Sequence, residues 1–320
     1  MSVGLRYEVP QRKERNQYDR QQPATRSPHR GYLAAEDEGN SSGSPPEDVV
    51  FPTEGHTGST ITLEHTYRHM AINDPRLAQR AGGRLAYCDN RPSIHAVRNR
   101  AGRAVELALP VIGSFLGPVE VACFAGGTGL FASILMHCLN PDRAADVKIR
   151  LFNMDPCAVL AAQRRIPGQR LKNVRTTWKK LLSDRESNTN SGFLNSRFVF
   201  AECLGMFDSL PDKLTKSDIQ SGRALPAYGH ALRKLFSTIR QGGMLVVGNF
   251  VRSHPDQAYM GPGSWPLILR DEDEMARLVH KFGVLFSSRG DSVTFERVEG
   301  ADDTQILMLL GKGNQESATN

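Results

Sequence analysis

A glycine-rich turn between two apolar segments constrains the fold of this chain more than any other feature. Residues 119–124 (VEVACF) predict a buried strand, residues 125–129 (AGGTG) predict a tight turn, and residues 130–139 (LFASILMHCL) predict a helix. Glycines let backbone N–H groups approach a ligand closely, and a helix N-terminus attracts polar ligands. This order of elements therefore predicts a ligand site at the end of the first strand.

An acidic residue follows the next apolar strand. Residues 147–154 predict that strand, and Asp155 comes directly after it. The acid lies 155 − 129 = 26 positions beyond Gly129, whereas a nucleotide-binding fold places its ribose-binding acid about 20 positions after the glycines. We therefore predict that Asp155 binds ribose hydroxyls. The alternative, an N-cap for a helix that begins at Pro156, stays open, and the two roles are compatible.

The turn lacks the G-x-G-x-x-G spacing of dinucleotide sites, and Glu120 lies in the strand before it. In both respects it resembles motif I of class I S-adenosylmethionine-dependent methyltransferases. The sequence differs from that family at Ala122 and Phe124, where glycine or a small residue is usual. Further resemblance, over roughly residues 65–312, is to the subgroup named for biosynthesis of the extracellular factor 3-hydroxypalmitic acid methyl ester. It rests on segments 95–100 (HAVRNR), 206–212 (MFDSLPD), 241–250 (QGGMLVVGNF), 254–255 (HP) and 265–275 (WPLILRDEDEM).

The resemblance implies S-adenosyl-L-methionine as the cofactor. The residues that it implies around this cofactor are Glu120, Gly126, Gly127, Gly129, Asp155, Trp178 and Glu202. In this interpretation the glycines admit the methionine part of the cofactor, and Glu120 orients the turn or binds the ammonium through water. Trp178 would contact adenine, or else be an aromatic residue of the core.

The resemblance also implies methyl transfer to a small acid, such as a hydroxy-fatty acid. A carboxylate is ionised at neutral pH, so its methylation needs no general base, whereas a hydroxyl acceptor needs one. The residues proposed for catalysis are Asp208, Asn249 and His254. Asp208 is a base or a turn cap, Asn249 binds the acceptor or satisfies a turn, and His254 is a base or a structural loop residue.

Three further side chains are candidates at the acceptor. Arg98 and Arg252 are the cations that would hold an acid, although each is also typical of a surface arginine. His95 is an alternative base for a hydroxyl acceptor.

Composition excludes several classes of protein. The chain of 320 residues is 39% hydrophobic, which suffices for one α/β core, and it has no apolar run of about 18 residues that would predict a membrane span. Its start lacks the apolar segment of a secretory signal. The five cysteines form no C-x-x-C pair, so we predict reduced thiols in a cytoplasmic protein and no metal site. The net charge of +6 comes without a dense basic run, so we expect no nucleic acid partner.

The pattern predicts an α/β protein in four parts. Residues 1–60 form a disordered N-terminal tail rich in Ser, Pro and Gly, residues 61–117 a helical cap, residues 118–312 a Rossmann-like methyltransferase domain, and residues 313–320 a disordered C-terminal tail. The predicted sheet is mostly parallel with an antiparallel edge. A helix around residue 100 buries Val97, Ala101, Val105 and Ala108, with Arg98, Arg100 and Arg103 on its opposite face.

Two details of the later chain are also predicted. A helix over residues 228–240 ends at Gln241–Gly243, and the fifth strand follows at residues 244–247. Closing strands are expected at residues 284–287, 292–298 and 305–311.

Three other functions stay open. Ala122 and Phe124 would narrow the cofactor turn in a catalytically silent methyltransferase-like binding protein. An NAD(P)-dependent oxidoreductase would need the dinucleotide spacing that the turn lacks. Methylation of nucleic acid is less favoured, because no N-P-P-Y/F-type motif follows the fourth strand. The sequence leaves the acceptor and the oligomeric state open, a homodimer included.

Overall fold

The computed structural model describes residues 92–153, 155–166, 171–175, 196–220, 222, 224–255, 267–285, 290–298 and 305–313. The predicted N-terminal tail, the cap before Pro92 and most of the C-terminal tail lie outside these ranges. Trp178 and half of the strand predicted at residues 284–287 lie outside them as well. The described part of that strand, residues 284–285, is not in a strand.

Seven strands form a single sheet in the described part of the chain. They are β1 (Val119–Phe124), β2 (Val147–Asn153), β3 (Leu171–Arg175), β4 (Phe198–Cys203), β5 (Ile239–Phe250), β6 (Ser292–Arg297) and β7 (Gln305–Gly311). Their order is β3-β2-β1-β4-β5-β7-β6. Neighbours are parallel from β3 to β5, and β7 runs antiparallel to both β5 and β6. The prediction of a mostly parallel sheet with an antiparallel edge is therefore confirmed.

Helices cover both faces of this sheet. They are α1 (Pro92–Ser114), α2 (Leu130–Cys138), α3 (Pro141–Asp146), α4 (Pro156–Arg165), α5 (Lys216–Gln220), α6 (Ala227–Ser237) and α7 (Glu272–Lys281), with a 3-10 turn at Phe207–Ser209. One apolar core lies between the sheet and α1, α2 and α4, and the other lies between the sheet and α6 and α7. Among the described helices, none is both long and apolar enough to cross a membrane.

The strand order reverses between β1 and β4. From β1 the chain moves outward to β2 and β3, and it then returns to β4 on the other side of β1. In open parallel sheets a crevice forms at such a reversal, outside the carboxyl ends of the strands, and ligands bind there. The turn after β1 and the segment after β4 therefore meet at the place where a ligand is expected.

The prediction that a helix ends at Gln241–Gly243 is wrong. Helix α6 ends at Ser237, and β5 already begins at Ile239. Gly242 has a φ of 74°, and a Cβ at Gly243 would lie 2.6 Å from the carbonyl oxygen of Val199. The pairing of β4 with β5 is irregular in this region. These glycines therefore allow an irregular strand to pair closely, a role that their position after a helix did not indicate.

Helix α1 buries more of its surface than its apolar stripe predicts. Val97, Ala101, Val105 and Ala108 are buried as expected, but Arg98 and Arg100 are also only 6% and 5% exposed. Arg103 alone behaves as a surface residue and pairs with Glu106 and with Glu296 of β6. The reason is that α1 packs against the sheet on one side and against α2 on another.

Candidate functional site

The glycine turn has the backbone that the sequence predicts. Ala125, Gly127 and Gly129 have φ angles of 53°, 53° and 80°. This left-handed region is costly for any residue with a Cβ, so Ala125 is held there at some expense. The N–H of Ala125 donates to Phe152 of β2 at 2.9 Å, and the N–H of Gly129 donates to Gly126 at 3.0 Å. The turn is therefore fixed against the end of β2.

Two of the glycines are also required by their neighbours. A Cβ at Gly126 would lie 2.7 Å from Leu151 Cδ1 and 2.8 Å from Cys123 Cβ. A Cβ at Gly129 would lie 2.9 Å from the Cβ of Ala162 on α4. These separations are shorter than real side chains tolerate, so the turn packs against the structure below it without side chains of its own.

Ala122 and Phe124, where the sequence differs from the family pattern, lie in β1 before the turn. Both are buried in β1, on the face that packs against α6 and α7. The Phe124 ring stacks on Phe152 with centroids 4.8 Å apart. The residue that departs from glycine within the turn itself is Ala125, and its positive φ shows that the backbone conformation is reached without glycine there.

The end of β2 is joined to the turn by Asn153. Its Nδ2 donates to the carbonyl of Gly127 at 3.2 Å, and its Oδ1 accepts from the N–H of Asp155 at 3.0 Å. Asp155 is half-buried and lies one position before α4. Sequence reasoning missed Asn153, although a polar residue at the end of an apolar strand was the available signal. The structure thus brings Asp155 next to the glycine turn.

Glu202 is the residue before the last in β4, and it lies beneath the turn. It is 2% exposed and stands opposite Cys123 of β1 in the sheet register. A Cβ at Gly126 would lie 3.0 Å from its Oε1, and its Oε2 accepts from the N–H of Leu204 at 3.2 Å. Burial raises the pKa of Glu202 to about 7, although the nearby Arg100 opposes this change. Glu202 is therefore a buried acid at the predicted site.

Glu120 lies at the other end of β1. It is the second residue of the strand, five positions before Ala125 and so about 16 Å from it at strand spacing. Its carboxylate pairs with Arg150 of β2 and accepts from Arg197 Nη2 at 2.6 Å. These hydrogen bonds outweigh partial burial and lower the pKa of Glu120 to about 2. The geometry places Glu120 in an ion-pair network between strands, away from the turn.

Asp208 lies in the 3-10 turn that follows β4. Its side chain is 2% exposed, and its Oδ1 has no hydrogen-bond partner among the described residues. Burial raises the pKa of Asp208 to about 6, against the effect of the positive charges on Arg100 and Arg270. A buried carboxyl group with an open oxygen is suited to accept a proton or a hydrogen bond from a ligand.

Arg100 is a site residue that sequence reasoning placed on the helix but did not select. Its Cζ lies 5.6 Å from the ring centroid of Phe250, and its Nη2 would lie 3.3 Å from a Cβ at Gly205. Its Nη1 is buried and has no hydrogen-bond partner among the described residues. The guanidinium therefore lies between α1, the end of β5 and the segment after β4, and retains an open N–H donor.

Asn249 is fully engaged within the protein. Its Nδ2 donates to the carbonyls of Phe250 and Ile268, at 2.8 and 3.3 Å, and its Oδ1 accepts from Arg270 Nη1 at 3.3 Å. The side chain is 0% exposed. This geometry anchors the end of β5 to the segment at residues 267–270 and engages both polar atoms of the amide within the protein.

Of the remaining candidates, His254 is brought close to this region, whereas Arg252 lies in a surface ion pair. Its buried ring meets Phe250 edge-on, with centroids 5.2 Å apart. Arg252 is exposed, and its Nη2 lies 2.6 Å from Glu274 Oε2 of α7, so it belongs to a surface ion pair. His95 is half-buried on the first turns of α1.

The described part of the chain holds no group of three or more His, Cys, Asp or Glu side chains arranged to bind a metal ion. The site is therefore described by its glycine turn, two buried carboxyl groups and one buried guanidinium.

Comparison with known proteins gives matches in structure alone. No family model matches the chain, and no curated protein matches it. A carbon methyltransferase, CurJ, matches with 14% identity and a TM-score of 0.50, over 80% of this chain and 67% of its own.

Two other solved structures match with lower TM-scores. The Burkholderia thailandensis 1,6-didemethyltoxoflavin-N1-methyltransferase, with its acceptor and S-adenosylhomocysteine bound, matches with 15% identity and a TM-score of 0.44, over 83% of this chain and 94% of its own. A possible exported protein from Bordetella parapertussis matches with 14% identity and a TM-score of 0.48, over 70% of each chain. Similarity at this level concerns the fold: the chain has the Rossmann-like fold found in class I S-adenosylmethionine-dependent methyltransferases.

Proposed function

We propose that this protein is an S-adenosylmethionine-dependent methyltransferase. The observation that carries the proposal is the glycine turn at the point where the strand order reverses. Gly126 and Gly129 have no space for a side chain, and Asn153 joins the turn to the strand end that precedes Asp155. This arrangement provides backbone donors and a ribose-binding acid beside each other, as a nucleoside cofactor requires.

The proposed cofactor residues follow from this geometry. Gly126, Gly127 and Gly129 would admit the methionine part, and Asp155 would accept hydrogen bonds from the ribose. Glu202 is buried beneath the turn, and a cationic cofactor beside it would favour its carboxylate form. Trp178 stays a prediction as an adenine contact. Glu120 is left out, because its carboxylate is bound by two arginines at the far end of β1.

For the acceptor, we propose a small carboxylic acid, as the sequence resemblance implies. Arg100 is the best supported cation for it, because its Nη1 is buried with an open donor beside Phe250. A guanidinium binds a carboxylate through strong charge-assisted hydrogen bonds. Arg252 is less suited, since it is exposed and pairs with Glu274.

The mechanism would then depend mainly on placement. When bound, the cofactor supplies an electrophilic methyl group on a sulfonium. Arg100 would hold and orient the carboxylate of the acid, which is the nucleophile that would receive this methyl group. No proton needs to be removed, because the acid is already ionised at neutral pH. Burial of the surrounding side chains would keep water from the nucleophile.

A hydroxyl acceptor is the second candidate, and the open oxygen of Asp208 favours it. A hydroxyl must lose its proton, and a base with a pKa near the working pH is the most effective. Asp208, with its pKa raised to about 6 and its Oδ1 unpaired among described residues, meets this condition. His254 stays a candidate for the same role, beside Phe250.

Calorimetric titration with S-adenosylmethionine, S-adenosylhomocysteine and NAD⁺ tests the cofactor. We expect micromolar binding of the first two alone, and at least a tenfold loss of affinity in D155A. D142A is the matched control, since Asp142 is an exposed aspartate in the first turn of α3. Binding of NAD⁺ alone would support an oxidoreductase, and binding of no cofactor would support a silent methyltransferase-like protein.

Mass spectrometry then separates the two acceptors. Wild-type protein with S-adenosylmethionine is mixed with octanoate, 3-hydroxyoctanoate or 1-octanol, and the product is identified as a methyl ester or a methyl ether. Ester formation supports the acid, and ether formation supports the hydroxyl. A cytoplasmic location and a homodimer stay predictions, to be checked by cell fractionation and light scattering.

A further inference from the structure

Arg270 is the largest fully buried side chain described in this protein. It lies before α7 and is 0% exposed. Its Nη1 donates to the carbonyl of Phe207 at 2.9 Å and to Asn249 Oδ1 at 3.3 Å, and its Nη2 donates to the carbonyl of Leu210 at 2.6 Å. Its guanidinium also lies over the ring of Tyr228, 4.5 Å from the centroid. Burial of a cation costs free energy because the charge is removed from water, even where hydrogen bonds replace part of its hydration.

The contacts of Arg270 bracket Asp208. Phe207 is the residue before Asp208, Leu210 is two positions after it, and both carbonyls point to one guanidinium. The backbone of the same segment completes the attachment, because the N–H of Ile268 donates to the carbonyl of Asp208 at 2.6 Å. Hydrogen bonds from residues 268–270 therefore hold the turn before, at and after Asp208.

The same side chain also reaches the end of β5. Asn249 accepts from Arg270, and the backbone N–H of Arg270 donates to Phe250 at 3.0 Å. Phe250 in turn contacts Arg100 and His254. Arg270 therefore links the turn after β4 to the carboxyl end of β5, which precedes His254.

We propose that Arg270 is a positioning residue for Asp208: its planar guanidinium sets the conformation of the 207–210 turn and its positive charge favours the carboxylate form of Asp208. This inference rests on the second candidate of the proposed function, in which Asp208 is the base for a hydroxyl acceptor. A lysine does not reproduce the role fully, because a single ammonium cannot match the fork that reaches Phe207 and Leu210 together.

Several ionisable groups share this environment. Arg100 of α1 acts on Asp208 together with Arg270, and Cys203 is affected by the charge of Asp208. Tyr228 of α6, Asp212 and Glu274 of α7 act on Arg270. Removal of Arg270 leaves Arg100 as the cation that acts on Asp208 among those identified, so the ionised form of Asp208 becomes less stable than in the wild type.

The test compares unfolding of four proteins between pH 4 and 8: wild type, D208N, R270M and the double variant. None of these measurements needs cofactor or acceptor. The unfolding free energy of D208N should exceed that of the wild type by an amount that increases with pH. This difference should stop increasing near pH 6, where the buried Asp208 becomes ionised. The corresponding difference between the double variant and R270M should keep increasing up to a pH that is higher by about one unit. R277M is the matched control, because Arg277 lies on exposed α7 surface.

R270K keeps the charge and keeps the test decisive if R270M does not fold. When D208N is added to R270K, the gain in unfolding free energy should level off at a pH close to the wild-type value. Methyl transfer by R270K should fall about tenfold, because the lysine holds the turn less well. An unchanged levelling-off pH in R270M, with loss of activity equal at every pH, would reduce Arg270 to a structural residue. The same conclusion would follow if the levelling-off pH rose by about one unit in R270K, because R270K keeps the positive charge.

This result is separable from failure of the proposed function. If wild-type protein binds no S-adenosylhomocysteine, the methyltransferase proposal is overturned, while the unfolding series still decides the coupling of Arg270 to Asp208. If S-adenosylhomocysteine binds and the series shows no coupling, the inference about Arg270 alone is overturned.

Discussion

Glu202 of β4 and Cys123 of β1 stand opposite each other in the sheet, and both lie under Gly126. Each is at least 98% buried. Burial, followed by the charge of Glu202, raises the pKa of the Cys123 thiol, so this cysteine stays protonated and unreactive. The pair therefore packs beneath the glycine turn, and Glu202 is the member whose charge can change near neutral pH.

Replacement of Gly126 by alanine should damage the cofactor site. The new Cβ would lie 2.7 Å from Leu151 and 2.8 Å from Cys123, so the turn must move. We expect about 1–3 kcal/mol of destabilisation and a loss of S-adenosylhomocysteine affinity. Urea denaturation and calorimetry measure the two effects.

G102A is the matched control for that change. Gly102 lies within α1, and a Cβ there has nothing within 4 Å. Alanine should stabilise the helix by about 0.5–1 kcal/mol and leave affinity unchanged. Equal affinities for G126A and G102A would show that the turn does not bind the cofactor.

Glu202 should make the protein less stable as pH increases. Its pKa is raised in the folded state, from 4.5 to about 7. The folded state therefore favours the protonated acid, and stability is lost as pH increases from about 4.5 to 7. The full cost is about 3 kcal/mol. E202Q should remove this dependence, which thermal unfolding across the pH range will detect. A parallel pH profile in both proteins would contradict the buried-acid assignment.

Glu120 should have the opposite pH dependence. Its pKa is lowered from 4.5 to about 2 by the two arginines, so its stabilising effect is present above pH 4.5 and is lost as pH falls toward 2. E120Q should destabilise the protein by about 1–3 kcal/mol at pH 7, because Arg150 and Arg197 lose their carboxylate. Its affinity for S-adenosylhomocysteine should be unchanged. A large loss of affinity would restore Glu120 to the cofactor site.

Arg100 should control acid binding with little effect on the cofactor. R100M removes a buried cation with an open donor, so the change in unfolding free energy should be small, about 1 kcal/mol in either direction. Affinity for octanoate in the presence of S-adenosylhomocysteine should fall at least tenfold, and affinity for 1-octanol should not.

R103M is the control on the same helix, since Arg103 pairs with Glu106 and Glu296 at the surface. Calorimetry with the two probes measures the difference. Octanoate binding that is equal in R100M and R103M would mean that the acid is held elsewhere.

Local sequence patterns predicted much of the framework. The bounds of β1 and β7 agree with the structure residue for residue, and the bounds of β2 agree within one residue. Each of these segments is mostly apolar, so local patterning suffices. The glycine turn and Asp155 also lie close together, because each follows the carboxyl end of one of two neighbouring parallel strands.

Contacts between distant residues decided what the patterns did not. Gln241–Gly243 looks like a helix end in sequence, yet it is part of β5, where Gly242 and Gly243 hydrogen-bond to Lys312 just after β7. Glu120 resembles a motif acid, yet its partner Arg150 lies on β2 and its partner Arg197 lies directly before β4. No local window contains such partners, so sequence reasoning assigned each residue by its neighbours in the chain.

The sequence by itself determined the alternation of strands and helices, the glycine turn and the acid after the second strand, because these depend on apolar periodicity and backbone freedom over a few residues. Only the tertiary structure decided which charged groups are buried together. Arg100, Glu202, Asp208 and Arg270 come from separate segments of the chain, and they are buried together only once the sheet and α1 have packed. The raised pKa values of Glu202 and Asp208 are caused by this burial.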